Sequence, residues 1–382
     1  MKPLKNKFTV VILACVLILS ACSQGMKTTS DAIYRADAQR TGTFDVLPVT
    51  QLTGVLWKFQ TGDEVWSSPV EASGLLFFGS DDNFFYAVDA KTGQEKWRFE
   101  TGDDVRSSPV VVDGLVYFRS YDQYVYALKA ATGELAWKVS LKEFEDQSLA
   151  VREQYDDFLS SPLVDNGIVY IGNYINLYAL DASTGQEKWR LKVLDAQRAI
   201  PALADGKLYF GAMNNLYAVD AQTGQEKWRF QCMSVPYAPA VKDGTLFFAS
   251  KDTHLYALDS QTGEMIWENN LAGSSWVTSS PAVSGGMVYA GTSDGRALFA
   301  VRAESGETTW EFPSKGYMWG SPSVAGEMVY IGSGDKSFYA VDAKTGQEIW
   351  HFETGGPVYS TPWISEGVVY FGSNDGSVYA LR

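Results

Sequence analysis

The stretch from Ala87 to Trp97 reads Ala-Val-Asp-Ala-Lys-Thr-Gly-Gln-Glu-Lys-Trp, and related copies of it recur along the 382-residue chain. A phrase that returns about every 40 residues indicates a repeat architecture, in which one small unit is copied and each copy packs on its neighbours. The copies close on eight tryptophans: Trp57, Trp97, Trp137, Trp189, Trp228, Trp267, Trp310 and Trp350.

The full repeat predicts four short strands. It runs Ser-Ser-Pro-Val, Gly-x-Val-Tyr-Phe-Gly-Ser and Leu-Tyr-Ala-Leu-Asp-Ala-x-Thr-Gly-Gln-Glu-Lys-Trp, with turn residues between the apolar runs. Such runs separated by Asp, Asn and Gly are typical of antiparallel strands joined by tight turns. We therefore expect an all-β fold, an eight-bladed β-propeller with the repeated tryptophans docked between blades. The first-strand prolines are Pro69, Pro109, Pro162, Pro201, Pro239, Pro281, Pro322 and Pro362.

Two details of the repeat lead to further expectations. In Asp-Ala-x-Thr-Gly the Asp can accept N–H groups of its own turn, and the Gly suits a left-handed conformation. Lys129 and Arg302 replace that Asp in two copies, so other contacts must hold those turns. The last copy ends at Arg382 after its third strand, whereas a spare strand, residues 55–59, precedes the first proline. We expect this N-terminal strand to complete the last blade and close the ring.

The N-terminus carries an export and anchoring signal. Three lysines precede an apolar run that ends in Leu19-Ser20-Ala21-Cys22, and this resembles a bacterial lipobox. The resemblance implies a signal peptide over residues 1–21, lipid attached to Cys22, and a tether over residues 22–50 before the propeller of residues 51–382. The residues directly after Cys22 are not acidic. By resemblance to lipoproteins with this feature, we expect the protein at the periplasmic face of the outer membrane in a double-membraned bacterium, and otherwise at the outer face of the cytoplasmic membrane.

Charge narrows the list of partners. Processing removes three lysines, so the formal charge falls from −14 to −17. An acidic body repels nucleic-acid phosphates and anionic lipid headgroups. We expect no nucleic acid, contact with the membrane only through the lipid, a monomeric propeller, and a protein partner at the cell envelope.

The sequence offers few residues for catalysis or metal binding. Cys232 is the only cysteine of the mature chain besides Cys22, and it is either a buried filler or a reactive thiol. His254 and His351 have no neighbours at metal-ligand spacing. We expect no catalytic residue and no metal site.

Candidate binding residues lie three positions before each proline, where the innermost strand enters the ring. Aromatic rings and guanidinium groups there suit a planar anion or a peptide, or else they plug the channel. The candidates are Trp66, Arg106, Arg198, Trp319 and Tyr359, and the other copies carry Leu159, Pro236 and Thr278.

One junction between repeats is longer than the rest. Seven tryptophan-to-proline separations are 11 to 14 residues, and the one from Trp137 to Pro162 is 25. The extra segment, Leu141 to Asp157, is acidic with interspersed aromatic residues. It is either a recognition loop or a solvated decoration.

The pattern Ala-x-Asp-x-x-x-Gly-x-x-x-Trp, as in residues 87–97 and 218–228, resembles the repeat of pyrroloquinoline-quinone-type (PQQ-like) eight-bladed propellers. The resemblance covers nearly all of residues 55–382, and Tyr34 to Gly42 resembles the segment that precedes such propellers. In the dehydrogenases of this family the quinone stacks between a tryptophan and a ring of adjacent disulfide-linked cysteines, beside calcium. The chain has no Cys-Cys pair.

The resemblance thus favours the lipoprotein branch associated with outer-membrane β-barrel assembly. We expect a non-catalytic protein-binding scaffold without a cofactor. The alternative is a PQQ-binding or quinoprotein-type redox protein.

Overall fold

A computed structural model describes residues 31–141, 159–196, 199–234, 237–271, 276–277 and 279–382. Within these ranges the regular structure is β-strand, with no helix. Two strands precede the first complete blade: Thr43–Phe44 (β1) and Val55–Gln60 (β2).

The remaining strands follow the repeat. Blade 1 contains Val70–Ala72 (β3), Leu75–Gly79 (β4), Phe84–Asp89 (β5) and Glu95–Glu100 (β6). Blade 2 contains Val110–Val112 (β7), Leu115–Arg119 (β8), Tyr124–Lys129 (β9) and Leu135–Ser140 (β10). Blade 3 contains Leu163–Asp165 (β11), Ile168–Gly172 (β12), Asn176–Asp181 (β13) and Glu187–Lys192 (β14). Blade 4 contains Ala202–Ala204 (β15), Lys207–Ala212 (β16), Asn215–Asp220 (β17) and Glu226–Gln231 (β18).

The second half of the ring repeats the same order. Blade 5 contains Ala240–Lys242 (β19), Thr245–Ala249 (β20), His254–Asp259 (β21) and Met265–Asn270 (β22). Blade 6 contains Ala282–Ser284 (β23), Met287–Gly291 (β24), Ala297–Arg302 (β25) and Thr308–Pro313 (β26). Blade 7 contains Ser323–Ala325 (β27), Met328–Gly332 (β28), Ser337–Asp342 (β29) and Glu348–Glu353 (β30). Blade 8 contains Trp363–Ser365 (β31), Val368–Ser373 (β32) and Ser377–Leu381 (β33).

Each blade is an antiparallel meander whose first strand lies nearest the ring axis. The first strand of blade 8 contacts that of blade 1, so the ring is circular. The sheet of blade 8 has the order β2-β33-β32-β31, and β2 pairs antiparallel with β33, with Trp57 opposite Ala380. The predicted all-β, eight-bladed propeller is confirmed.

Every repeat tryptophan contacts the next blade. The indole Nε1 of Trp310 donates a hydrogen bond to the carbonyl of Ala343 at 3.1 Å, and six other repeat tryptophans make the equivalent bond. Trp350 instead donates to the carbonyl of Val49 at 2.9 Å, because the outer strand of blade 8 is β2 and no turn joins it to β33. An N-terminal residue therefore replaces the missing turn.

The Asp-x-x-x-Gly turns are stabilised, as expected, by hydrogen bonds from their own residues to the Asp carboxylate. The Asp342 carboxylate accepts the Thr345 N–H at 2.7 Å, and the hydrogen bond from the Thr345 side chain holds the pKa of Asp342 below its usual value. Where Lys129 replaces the Asp, its ammonium pairs with Glu134 at 2.7 Å, and Arg302 lies 3.4 Å from Glu307. A side-chain ion pair thus replaces the Asp contacts in those two turns.

The propeller has two unlike faces. We call "upper" the face that carries the turns between second and third strands together with the connections between blades. The two kinds of loop are joined there, as where the Gly62 N–H donates to the Asp82 carboxylate at 2.7 Å. The "lower" face carries the turns between first and second strands and those between third and fourth strands.

Residues 31–50, which we call the plug segment, cross the channel at the lower face. Their backbone exchanges hydrogen bonds with the first strands of blades on opposite sides of the ring, at Val111, Leu203, Val241, Val283 and Val324. The sequence assigned these residues to a tether. They differ from that expectation because their polar backbone pairs with the inner strands, and residues 22–30 lie outside the described ranges.

Candidate functional site

Four of the five candidate residues line one cavity at the upper mouth of the channel. These are Trp66, Arg106, Trp319 and Tyr359, and Leu159 lies with them. The fifth candidate, Arg198, lies outside the described residues, as do Pro236 and Thr278. Cys22 and residues 142–157 of the acidic insertion are also outside them.

The aromatic candidates form a stack. The ring of Tyr359 lies 5.0 Å from that of Trp66 and 4.8 Å from that of Trp319, and Trp319 in turn stacks on Tyr317 at 5.1 Å, nearly parallel. Stacking at these separations stabilises the rings beyond the burial of their surface. We call these four rings the aromatic ladder.

Guanidinium groups lie at both ends of the ladder. Arg106 lies 4.8 Å from the ring centroid of Trp66, and Arg296 lies 5.6 Å from that of Tyr317. Arg106 also pairs with Asp81, with Nη2 to Oδ2 at 2.6 Å and Nε to both carboxylate oxygens at 3.0 Å. The pair neutralises the Arg106 charge, so this arginine offers little attraction to an anionic ligand.

Burial governs the titration of this rim. Desolvation raises the pKa of Asp81 to about 6, although the hydrogen bond and charge of Arg106 act to lower it. Desolvation also raises the pKa of Tyr359 to about 12, and the neighbouring Tyr317 and Glu64 act in the same direction. Glu64 itself accepts the indole N–H of Trp66 at 2.7 Å and the amide of Asn374 at 2.9 Å.

Below the ladder a ring of hydroxyl groups forms the cavity floor. They stand one residue before the prolines at six of the eight equivalent positions, namely Ser68, Ser108, Ser161, Ser280, Ser321 and Thr361, while Ile200 and Ala238 occupy the other two. The Ser68 N–H donates to the Ser108 hydroxyl at 3.2 Å, and the Ser108 N–H donates to that of Ser161 at 2.9 Å. These bonds connect adjacent blades around the axis. The enclosed volume is about 40 Å³, close to the space of one or two water molecules.

The plug segment closes the cavity from beneath. The Tyr34 ring lines the cavity, and its hydroxyl lies 3.0 Å from that of Thr361. Arg40 donates to the carbonyls of Pro162 at 3.0 Å and Pro201 at 3.1 Å, and Arg35 donates to that of Pro281 at 2.5 Å. The burial of these arginines was not predicted from the sequence, although two arginines within six residues of a short N-terminal segment could have drawn attention to it.

A second feature of the upper face was also missed. Five large apolar side chains on the loops of consecutive blades are each at least 44% exposed: Tyr174, Leu194, Met213, Met233 and Trp276. Met233 is the most exposed at 85%, and Trp276 carries the ammonium of Lys251 at 5.1 Å from its ring. We call these five residues the apolar arc. Its signal in the sequence is the replacement, on blades 3 to 6, of polar turn residues found in other copies.

The remaining potentially reactive side chains, those of Cys232, His254 and His351, each form a hydrogen bond with a residue close to them in the sequence. Cys232 is buried, its thiol donates to the Ser234 carbonyl at 3.0 Å, and desolvation raises its pKa to about 12. His254 contacts the Asp252 carbonyl at 2.9 Å and His351 the Glu348 carboxylate at 2.7 Å. Among the described residues no group of three His, Cys, Asp or Glu is placed to hold a metal ion, and no helix is long and apolar enough to span a membrane.

Comparisons with known proteins identify the repeat. The family model described as "Outer membrane protein assembly factor BamB" matches residues 46–199, 124–239, 212–318 and 300–382. No curated sequence matches the chain.

Solved structures share the fold. BamB from Moraxella catarrhalis superposes with a TM-score of 0.69 at 19% identity, covering 86% of this chain and 97% of that one. The quinohemoprotein alcohol dehydrogenase ADHIIG from Pseudomonas putida HK5 gives 0.74 at 16%, covering 91% and 79%. A europium-containing methanol dehydrogenase gives 0.75 at 15%, covering 92% and 98%.

Proposed function

The chain belongs to the family of the outer membrane protein assembly factor BamB, and from this premise we propose that it is a protein-binding scaffold of the bacterial envelope that assists outer-membrane protein assembly. The observation that carries the proposal is the apolar arc. Five large exposed side chains on one face of a rigid ring present the kind of surface that protein partners bury.

The partner we propose is a protein subunit of the outer-membrane assembly machinery with an apolar patch and a basic rim. Acidic side chains lie beside the arc: Asp195 follows Leu194 on the same loop, and Asp294 is on the turn between β24 and β25, whose Ser293 N–H donates to the Trp276 carbonyl at 2.9 Å. In an acidic protein these carboxylates favour a partner of opposite charge and disfavour other acidic proteins.

A quinone-dependent redox function is the second candidate, because quinoprotein dehydrogenases share the fold. The residues present do not fit the cofactor. The aromatic ladder lines the mouth with the chain's own rings, the space between the rings and the hydroxyl floor is about 40 Å³, and the chain lacks adjacent cysteines. A tricyclic quinone would have to displace Trp66 or Tyr359 from the stack. We therefore propose a scaffold without a quinone cofactor.

The lipid anchor and the location are part of the same proposal. We propose that Cys22 carries lipid, and that the propeller is held at the periplasmic face of the outer membrane if the source has two membranes. Mass spectrometry of the membrane-extracted protein tests this, since Cys22→Ser should abolish both acylation and membrane retention.

Substitutions in the arc test the scaffold proposal. Met233→Asp with Trp276→Ala places a charge in the arc and removes its largest ring, so co-purification of assembly-machinery subunits from detergent-solubilised membranes should fall at least tenfold. The matched control is Met265→Asp with Ile266→Ala, which changes exposed apolar residues on the outer strand β22. Equal recovery with both variants, at equal melting temperature, would exclude the arc as the binding surface.

A further inference from the structure

The hydroxyl ring at the cavity floor has donor capacity that the protein does not use. Ser68, Ser108, Ser161 and Ser321 are each at most 7% exposed, and each accepts a backbone N–H from the neighbouring blade. Within the described part of the chain their own hydroxyl hydrogens have no acceptor. Since all four line the cavity, these hydrogens are available to a group that enters it.

Positive charge lies directly beneath this ring. Arg35 and Arg40 are fully buried and donate to the carbonyls of residues that immediately follow ring positions, and the Cζ atom of Arg40 lies 5.2 Å from the Tyr34 ring centroid. The Nη1 atom of Arg35 has no hydrogen-bond partner among the described residues. Asp37, the nearest acidic residue along the chain, directs its carboxylate to Thr41. Among the residues that the structure describes, the two guanidinium groups have no carboxylate within hydrogen-bonding distance.

The rim has the opposite character. Asp81 neutralises Arg106, Glu64 is engaged by Trp66 and Asn374, and the walls are aromatic or aliphatic. A ligand that enters the mouth thus passes apolar rings and meets convergent donors over a positive base. Buried donors in a site of low dielectric constant favour an anionic acceptor strongly, because bulk solvent screens the interaction little.

We propose that the mouth cavity binds a carboxylate group carried on a narrow aromatic or apolar stem. The carboxylate oxygens accept hydrogen bonds from the floor hydroxyls, and the stem packs against the ladder and Leu159. The cavity volume of about 40 Å³ suits a single carboxylate and excludes a bulky anion. This site is distinct from the apolar arc and extends the proposed scaffold function.

Two sources of such a group are compatible with the geometry: the C-terminus of a polypeptide and a free small carboxylic acid. The natural sequence also provides the design of the test. Ala238 and Ile200 stand at ring positions without a hydroxyl, so the fold accepts an apolar side chain there. Ser108→Ala removes one donor, and Ala238→Ser adds one.

Calorimetric titration of the full chain with N-acetylphenylalanine and with N-acetylphenylalanine amide tests the proposal. We expect the acid to bind at least tenfold more tightly than the amide, Ser108→Ala to weaken the acid roughly tenfold, and Ala238→Ser to strengthen it. Ser183→Ala, in an exposed turn, is the control and should change nothing. Melting temperatures establish that every variant is folded.

The result that overturns the proposal is an acid and an amide that bind equally, or an acid affinity that neither floor variant alters. A ten-residue peptide that ends in a phenylalanine carboxylate separates the two sources. Tighter binding of the peptide than of the free acid supports a polypeptide C-terminus, and equal binding supports a small acid. The arc variant Met233→Asp should leave all these affinities unchanged, which keeps this test independent of the scaffold proposal.

Discussion

The turn glycine of the repeat acts through two physical effects that can be separated. Gly346 has a φ of +72°, and a Cβ atom added to it would lie 2.7 Å from the Trp310 ring. Gly74 has a φ of +80°, and a Cβ atom there would meet nothing within 4 Å. A substitution at Gly74 therefore measures the backbone strain alone, whereas one at Gly346 adds the steric clash with Trp310.

We expect Gly74→Ala to lower the free energy of unfolding by about 1 kcal/mol through backbone strain alone. Gly346→Ala should lower it by about 2 to 4 kcal/mol, because the tryptophan must also move. Urea denaturation of the two variants measures the difference. Equal losses of unfolding free energy in the two variants would show that the packing of Trp310 does not require a residue without a Cβ atom at position 346.

The buried Asp81 makes stability depend on pH in a defined direction. Its pKa in the folded protein is about 6, above the value of about 3.9 in an unfolded chain, so the folded state holds the proton more tightly. The contribution of Asp81 to stability is therefore greatest below about pH 4, and it falls as the pH rises to about 6. The melting temperature of wild type minus that of Asp81→Asn should decrease across this range and then level off. A difference that rises with pH would contradict the assigned burial.

At the scale of elements, the plug segment depends on its buried arginines. Replacing Arg40 by Met leaves the carbonyls of Pro162, Pro201 and Tyr34 without their donor. We expect a loss of about 3 to 5 kcal/mol in the free energy of unfolding.

Arg98→Met is the matched control for Arg40→Met, since the Arg98 side chain is 54% exposed and should cost less than about 1 kcal/mol. Chemical denaturation of both variants tests this. Similar losses would mean that Arg40 does not brace the ring.

The sequence predicts those elements whose signal is local. The strands, their turns and the tryptophan positions follow from the alternation of apolar residues and from the Asp and Gly residues between the apolar runs. Trp66, Arg106, Trp319 and Tyr359 converge because equivalent positions of the repeat face one axis. The plug segment has no such periodicity, and its polar residues resemble those of a tether. Its burial depends on carbonyls contributed by blades far along the chain, such as that of Pro281, which a local pattern does not reveal.

The exposure of the apolar arc, like the burial of the plug segment, could not be predicted from a local sequence pattern. Methionine is usually a buried residue type, and Met213 and Met233 are exposed only because they lie on loops of the upper face. The repeat alignment locates those loops. That no described residue covers these side chains becomes visible only when all the neighbouring blades are in place.

At the scale of the whole molecule, the ring closes through a strand from the beginning of the chain. Deleting Leu52 to Thr61 should leave the outer edge of β33 unpaired and remove the contact of Trp57 with blade 1, with a large fall in melting temperature. The comparison is a chain that begins at Asp31 and retains the plug segment and β2. An unchanged melting temperature after the deletion would contradict closure by β2.

The position of the plug segment also orients the proposed anchor. Asp31 lies at the lower face, where its carboxylate accepts the Asp113 N–H at 3.2 Å. Eight residues lie between Cys22 and Asp31, so the chain from one to the other can reach at most about 30 Å. An anchor at Cys22 would hold the lower face towards the membrane and leave the apolar arc facing away from it.

Site-specific photo-crosslinking in intact cells tests the central claim that this propeller recognises an assembly partner through its upper face. A photoreactive residue at Met233 should crosslink to a subunit of the outer-membrane assembly machinery, and the same residue at Ile266 on the outer strand should not. Crosslinking to that subunit from Ile266 alone, or from neither position in a folded protein, would contradict the account.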